Sequence, residues 1–576
     1  MREDPSEETR RELEELLARA RWDELADRFA GRLEFGTAGL RGVIGAGPNR
    51  MNQAVVRAAT AGLLAYLRET TPGAAERGVV VGYDGRRLSR ELAEEVVEVT
   101  VGAGFRARLF DHVVPTPIVG FACKELEAAA AVMITASHNP PEYNGYKVYW
   151  GNAAQIVPPH DEGIARAIDA VGPLSAVPRV PLTEALASGR AEVIGPALED
   201  RYHERIQRLV VRPGLRRDLV IAYTALHGVG EASTRRALAG SGFSNVHSVA
   251  EQATPDGTFP TVRFPNPEEA GAMDRVIALA ETVGAELVIA NDPDADRLAV
   301  AVRAGEGHET PGRYVQLTGN EVGCLLGSYL LEHAPWRGAR PLVVSSLVSS
   351  PMIGAIAAAH GARWEETLTG FKWIANRSLE LAEEGYDLVL GYEEALGYTV
   401  SNVVRDKDGV SAALLAADMA AFHASEGRTL LDALDLLARR HGLFLSRQVS
   451  VTMKGKEGAE AIARIMSRVR QSPPTRLGAH EVIAVRDLSA RTRRARDGSV
   501  EPLAFLPSNV IALDLEGGHR VMLRPSGTEP KIKYYFDVRE AVGGREHMAS
   551  ARARGERTLS ALVEAFLPLV SEGGAS

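Results

Sequence analysis

Short β-branched runs alternate with amphipathic stretches along most of this chain, and that alternation predicts strands covered by helices. The runs Gly78–Val81, Arg106–Phe110 and Ala129–Ile134 predict strands, and Arg90–Val101 predicts a helix. The pattern restarts at Leu219–Tyr223, Glu286–Ala290, Leu342–Ser345 and Leu388–Leu390, each time an apolar run followed by a polar turn. Such a texture implies α/β layers. After about Ser446 the apolar runs sit closer together, at Gln448–Thr452, Val510–Leu513, Arg520–Leu523 and Ile532–Val538, before a predicted helix at Ala549–Phe566. A smaller α+β unit is expected there. The first thirty residues predict one surface helix, and the basic stretch Arg491–Val500 an exposed loop. No residue-level repeat of fixed period is visible.

With 576 residues the chain is long enough for two to four domains. A net charge of -9 argues against a general nucleic-acid binder, and no apolar run is long enough to span a bilayer. Cys123 and Cys324 are the only cysteines, too few for a disulfide framework or a Cys-based zinc site. The charged start, Met-Arg-Glu-Asp-Pro, lacks the core of a signal peptide, so a reducing cytoplasm is expected.

Five constellations can carry chemistry. Val132–Pro140 is an apolar run that stops at Ser137-His138-Asn139-Pro140, placing a nucleophilic hydroxyl and an imidazole at the mouth of a sheet. Asn291-Asp292-Pro293-Asp294-Ala295-Asp296-Arg297 crowds three carboxylates into one loop, and oxygen-only ligands favour a hard divalent ion such as Mg²⁺. It is not an EF-hand, because the sixth and twelfth positions are Arg297 and Arg303. Arg524-Pro525-Ser526-Gly527-Thr528-Glu529-Pro530-Lys531 offers hydroxyls, a fixed arginine and a glycine-permitted nest for phosphate, without a Walker signature. Gly391-Tyr392-Glu393-Glu394-Ala395-Leu396-Gly397-Tyr398 presents acids that can bind sugar hydroxyls, although a solvated turn reads the same way. Near it, Lys372 stands between Phe371 and Trp373, where a snorkelling side chain is the plainer reading. Finally, Phe35–Gly42 with Arg41, and Asp84-Gly85-Arg86, suggest loops that approach an anion closely. Nucleotide motifs are absent. Together these parts fit phosphoryl transfer to and from a serine on a sugar phosphate.

Taken in order, these motifs resemble those of the α-D-phosphohexomutase superfamily over essentially the whole chain. Thr135–Pro140 resembles its phosphoserine loop, Asp292–Arg297 its D-x-D-x-D-R metal loop, Tyr392–Gly397 its sugar loop and Arg524–Thr528 its phosphate loop. The resemblance implies three related mixed α/β domains and a C-terminal α+β domain around a central cleft, divided as residues 1–212, 213–317, 318–445 and 446–576. It implies Ser137, His138, Lys372, Lys147 and Arg41 in catalysis, and one Mg²⁺ held by Ser137, Asp292, Asp294 and Asp296. It implies substrate contacts from Thr37, Arg86, Arg297, Thr369, Gly370, Glu393, Ala395, Arg524, Ser526, Gly527, Thr528 and Lys531. The implied reaction is a phosphoglucomutase one, between the 1 and 6 positions of glucose through glucose 1,6-bisphosphate, by a monomer or weak homodimer. Ala395 stands where many relatives have serine, and Tyr398 where one branch has histidine. Both departures resemble the phosphoglucomutase/phosphopentomutase branch, so phosphopentomutase and phosphomannomutase are the alternatives. A phosphoserine hydrolase and a silent sugar-phosphate sensor are the rivals outside the class.

Overall fold

The computed structural model describes residues 4–36, 39–215, 217–334, 340–453, 455–526, 531–544 and 546–570. Its strands form four sheets, and three of them repeat one topology. In the first, the parallel strands Val79–Tyr83, Ala107–Leu109 and Ala130–Ile134 are followed by the antiparallel strand Tyr143–Trp150. In the second, Ile221–Thr224, Val246–Ser248 and Leu287–Ala290 are followed by Ala299–Arg303. In the third, Arg340–Ser346, Arg363–Thr367 and Tyr386–Glu393 are followed by Gly397–Thr399. Each time the first parallel strand lies between the second and third, and the antiparallel strand pairs with the third. The first sheet adds Leu40–Val43 and Ala191–Val193 at its edges, and the second adds Tyr314–Gln316.

The continuous apolar runs arise because helices cover both faces of these strands. Val79–Tyr83, Ala130–Ile134 and Leu287–Ala290 are buried at every position. The helix Ser89–Gly102 turns Leu92, Val96 and Val99 inward at helical spacing. One apolar core runs through all three α/β units, from Val80 and Tyr149 through Tyr223 and Leu287 to Leu325 and Leu414. The fourth sheet is antiparallel and has its own core, around Ile462, Leu513, Phe536 and Phe566. It meets the third unit through a small apolar cluster, including Val348, Met522 and Tyr535, and through buried Arg520. The Arg520 guanidinium donates to Asp537 within its own sheet at 2.7 Å and to Glu366 of the third unit at 3.0 Å.

Three sequence expectations are corrected. The first thirty residues form two helices, Glu7–Ala18 and Trp22–Arg28, broken where Ala20 takes a left-handed conformation (φ 51°). Arg491–Val500 is a hairpin rather than a loop: Thr492–Ala495 pairs with Val500–Pro502 around an Asp497-Gly498 turn with Gly498 at φ 86°. The division expected between residues 445 and 446 falls inside the strand Leu443–Thr452, so that strand joins the C-terminal sheet whole.

Replacing Arg520 by Met should leave buried Asp537 without a cation, while Glu366 keeps Arg486 at 3.2 Å. We expect a loss of about 3–5 kcal/mol in urea unfolding followed at the C-terminal unit.

Candidate functional site

In each repeated unit the candidate loop occupies the same place, the connection from the third parallel strand to the antiparallel one. Thr135–Glu142 follows Ala130–Ile134, Asn291–Leu298 follows Leu287–Ala290, and Glu394–Leu396 follows Tyr386–Glu393. Each loop contains one non-glycine residue in the left-handed region: Ser137 (φ 51°), Ala295 (φ 55°) and Leu396 (φ 61°). The three loops touch. Leu298 N–H donates to the Leu396 carbonyl at 3.0 Å, and Ser137 Oγ donates to Asp292 Oδ2 at 3.0 Å.

Ser137 is buried, with its hydroxyl also 3.0 Å from His138 Nδ1 and its N–H donating to Thr135 Oγ1 at 2.8 Å. Its strained backbone is braced from below. The Arg86 guanidinium donates to the carbonyls of Ser137 (2.5 Å), Asn139 (2.6 Å), Pro140 (2.9 Å) and Tyr143 (3.2 Å). Phe259 of the second unit lies against that guanidinium, 4.9 Å from ring centre to Cζ. Arg86 was expected to bind substrate; in the structure its Nη donors hold the serine loop and the strand after it, and its Nε faces Asp84 at 3.4 Å.

Asp292, Asp294 and Asp296 are fully buried, and each offers a carboxylate oxygen within 4.8 Å of the others'. Lys147 reaches in from the strand after the serine loop, 3.0 Å from Asp296 Oδ2 and 3.5 Å from Asp294 Oδ2. Lys407, from the loop before the helix Gly409–Ser425, stands 2.9 Å from the same Asp296 oxygen. Arg297 donates its backbone N–H to Asp292 Oδ1 at 2.9 Å and its side chain lies 3.7 Å from Glu268. Burial and the neighbouring Asp294 and Asp296 push the Asp292 carboxyl well above its ordinary pKa. Burial works the same way on Asp296, but Lys147, Lys407 and Arg297 outweigh it and hold that carboxyl low. Asp294 Oδ1 and Asp296 Oδ1 are buried with no hydrogen-bond partner among the described residues. Two orphaned carboxylate oxygens in an all-oxygen donor set fit a hard divalent cation.

A second group lies in the third unit. Gly370 N–H donates to Glu393 Oε1 at 2.6 Å, and Thr369 Oγ1 is buried without a partner among the described residues. Lys372 begins the helix Phe371–Glu383, and its Nζ lies 5.0 Å from the Trp373 ring centre. Burial pushes the Lys372 ammonium down to about 8, with Asp161 and Glu393 pulling the other way. Of the paired acids, Glu394 turns into its own unit, accepting from Ser346 Oγ at 3.0 Å. Arg41 is exposed and donates to Asn139 Oδ1 at 3.1 Å. His138 is pushed well below its ordinary pKa by burial and by Arg297 and Arg41. In the C-terminal unit Arg524 lies opposite Lys533 in the sheet, and Ser526 N–H donates to the Lys531 carbonyl at 2.7 Å. Thr37, Gly527 and Thr528 lie outside the described residues.

A cleft of about 1290 Å³ joins part of this set; Ser137, the three aspartates, Lys372, Glu393 and Arg524 are not among its lining residues. His138 and Asn139, Arg297, Glu394 and Ala395, and Lys531 and Lys533 all line it, so every unit contributes. Sequence reasoning missed Lys407, Glu268, Lys533 and Thr116, whose hydroxyl meets Asp294. Only Lys407 carried a signal: the charged run Arg405-Asp406-Lys407-Asp408 directly precedes a buried helix. A seated hydroxyl, a carboxylate nest suited to a cation and a separate cationic patch are the parts of a phosphoryl-transfer site.

Comparison with known proteins agrees with that class. Three models match in order: phosphoglucomutase/phosphomannomutase alpha/beta/alpha domain I over residues 32–173, domain II over 200–305 and domain III over 318–440. A probable phosphomannomutase of Haemophilus influenzae is 40% identical over 495 residues, 85% of this chain and 93% of its own. A human phosphopentomutase is 35% identical over 566 residues, 93% of this chain and 90% of its own. Among solved structures, the open form of the Paramecium phosphoprotein parafusin, a phosphoglucomutase, shares the fold. Its TM-score is 0.69 at 18% identity, covering 93% of this chain and 95% of that one. The chain belongs to the phosphoglucomutase/phosphomannomutase family of the α-D-phosphohexomutase superfamily. It is an enzyme, a phosphosugar mutase of the isomerase class.

If the charged Lys372 serves turnover, kcat falls as pH rises through about 8, where its ammonium is lost. Lys372→Arg keeps the charge to far higher pH and should remove that limb from the pH–rate profile. A limb that survives the substitution belongs to another group.

Proposed function

We propose that this mutase moves a phosphoryl group between the two ends of an aldose phosphate through Ser137, and that it accepts pentose as well as hexose substrates. The observation that carries the first part is the seating of Ser137 Oγ, 3.0 Å from Asp292 Oδ2. In this reading Ser137 carries a phosphoryl group at rest. The free hydroxyl of a bound sugar monophosphate attacks its phosphorus, the bond to Oγ breaks, and the hydroxyl proton passes to a base. His138 is the candidate for that base, and the charged Lys372 for the acid that protonates the leaving oxygen. The bisphosphate turns over in the cleft, Oγ attacks the other phosphorus, the bond from that phosphorus to its sugar oxygen breaks, and the sugar oxygen takes a proton while Oγ recovers the phosphoryl group. Arg524, Ser526 and Lys531, with Gly527 and Thr528, hold whichever phosphate is not reacting. Arg41 and Arg297 face the transferring charge, and Lys147 balances the aspartates. Mg²⁺ on Asp292, Asp294 and Asp296, with a Ser137 phosphate oxygen, would supply positive charge to the transferring group.

The substrate follows from the sugar loop. Glu393, Gly370 and Thr369 form its polar wall, while Ala395 lines the cleft with a methyl group where many family members carry a serine hydroxyl. A lost donor weakens discrimination for one sugar hydroxyl and leaves room for the shorter sugar. A relative named phosphopentomutase at 35% identity supports pentose at least as well as glucose.

Ser137→Ala should abolish isomerisation of every substrate while leaving sugar-phosphate binding. With ribose 1-phosphate, glucose 1-phosphate and mannose 1-phosphate assayed in turn, with and without catalytic glucose 1,6-bisphosphate, we expect turnover of the first two. Failure on all three would sink the proposal, and free phosphate matching product would make the enzyme a hydrolase. Ala395→Ser should raise the preference for glucose over ribose phosphate by about tenfold, the worth of one hydrogen bond. An unchanged ratio removes Ala395 from specificity.

A further inference from the structure

Asp292 has both carboxylate oxygens engaged, Oδ2 by Ser137 Oγ at 3.0 Å, whereas Asp294 and Asp296 each have one oxygen held and one unpartnered among the described residues. Asp292 Oδ1 accepts the Arg297 N–H of its own loop, at 2.9 Å. Asp296 Oδ2 is taken by Lys147 at 3.0 Å and Lys407 at 2.9 Å. Lys147 also lies 3.5 Å from Asp294 Oδ2, but Thr116 makes the shorter contacts on Asp294. Thr116 Oγ1 donates to its Oδ2 at 2.8 Å, and Thr116 N–H donates to its backbone carbonyl at 2.9 Å. One residue thus grips both the side chain and the main chain of Asp294.

Thr116 comes from the first unit and the aspartate from the second. Thr116 is fully buried and opens the helix Thr116–Glu125, between Pro115 and Pro117. Its N–H is one of the helix's first donors, which have no partner inside the helix, so the Asp294 carbonyl satisfies a group the helix leaves over. The adjoining prolines restrict the backbone that presents the hydroxyl. With Oδ2 and the carbonyl both held, the Asp294 carboxylate has one orientation, and its other oxygen, Oδ1, is buried and unpartnered.

We propose that Thr116 is a positioning residue for a divalent cation at the aspartate loop: it holds Asp294 so that Oδ1 is presented as a ligand. The inference rests on reading Asp292, Asp294 and Asp296 as a cation site. Hydrogen-bond partners of metal-bound groups fix ligand orientation, and losing one typically weakens metal binding about ten- to a hundredfold.

The test is isothermal titration of the full-length protein with Mn²⁺ and with Mg²⁺, comparing wild type with Thr116→Val, Thr116→Ser and Asp294→Asn. Valine keeps the shape and removes the hydroxyl; serine restores it. We expect Thr116→Val to bind both ions about ten- to a hundredfold more weakly, Thr116→Ser to bind near wild type, and Asp294→Asn to bind most weakly. We also expect excess Mg²⁺ to restore turnover in Thr116→Val, which a general folding defect would not allow. If the valine variant does not fold, Thr116→Ala gives the same comparison. Equal affinity in wild type and the valine (or alanine) variant overturns the proposal, as does equal weakening in the valine and serine variants. If wild type and Asp294→Asn bind alike, the aspartate loop is not a cation site and the premise itself has failed.

Discussion

Three carboxylates confined in one buried loop repel one another, and burial removes the water that would screen them. Much of the site answers that constraint. Lys147 comes from the first unit and Lys407 from the third, and both end on Asp296. Arg297 folds back over Asp292. The second unit therefore cannot hold its own loop in this form alone: the compensating lysines arrive from its neighbours. The shared apolar core makes that arrangement stiff, because it fixes the distances across which these charges meet.

The lysines are themselves placed by contacts between units. Asp406, beside Lys407, accepts from Tyr149 at 2.7 Å and from Gln155 at 2.6 Å, both in the first unit. Arg405 donates to the Asn152 carbonyl at 2.7 Å. Asp408, after the lysine, accepts from Tyr202 at 2.8 Å, so the loop that delivers Lys407 is anchored on both sides of it. The C-terminal unit stands apart, with its own core and a seam to the third unit that centres on the Arg520 ion pairs.

How much of this the sequence disclosed depends on whether a feature is local. Strands buried on both faces announce themselves as continuous apolar runs, so Ala130–Ile134 and Leu287–Ala290 were legible to within a residue. Ser137 and the three aspartates were legible because each sits just past such a run. Arg86 was legible only in part: a loop arginine near glycine suggests an anion site, and nothing local reveals that it also holds carbonyls some fifty residues on. Thr116 was invisible as a site residue for the same reason, and Lys407 showed only as part of a charged run, since their partners are Asp294 and Asp296 in another unit. The two N-terminal helices and the Asp497-Gly498 hairpin turned on single backbone conformations, at Ala20 and Gly498, that periodicity does not report.

Ser137, Ala295 and Leu396 each adopt a left-handed conformation in the same connection of the same four-strand topology. Side chains with a Cβ rarely adopt that conformation, so three independent inventions at one structural address are a poor explanation. Successive duplication of one module would account for them, with the kinked connection shared and only its cargo differing: a hydroxyl in the first unit, carboxylates in the second, Glu394 and Ala395 in the third. No copy retains a complete set. The division of labour follows the repeat: one strand-to-strand connection, used three times, carries a different part of the site in each unit.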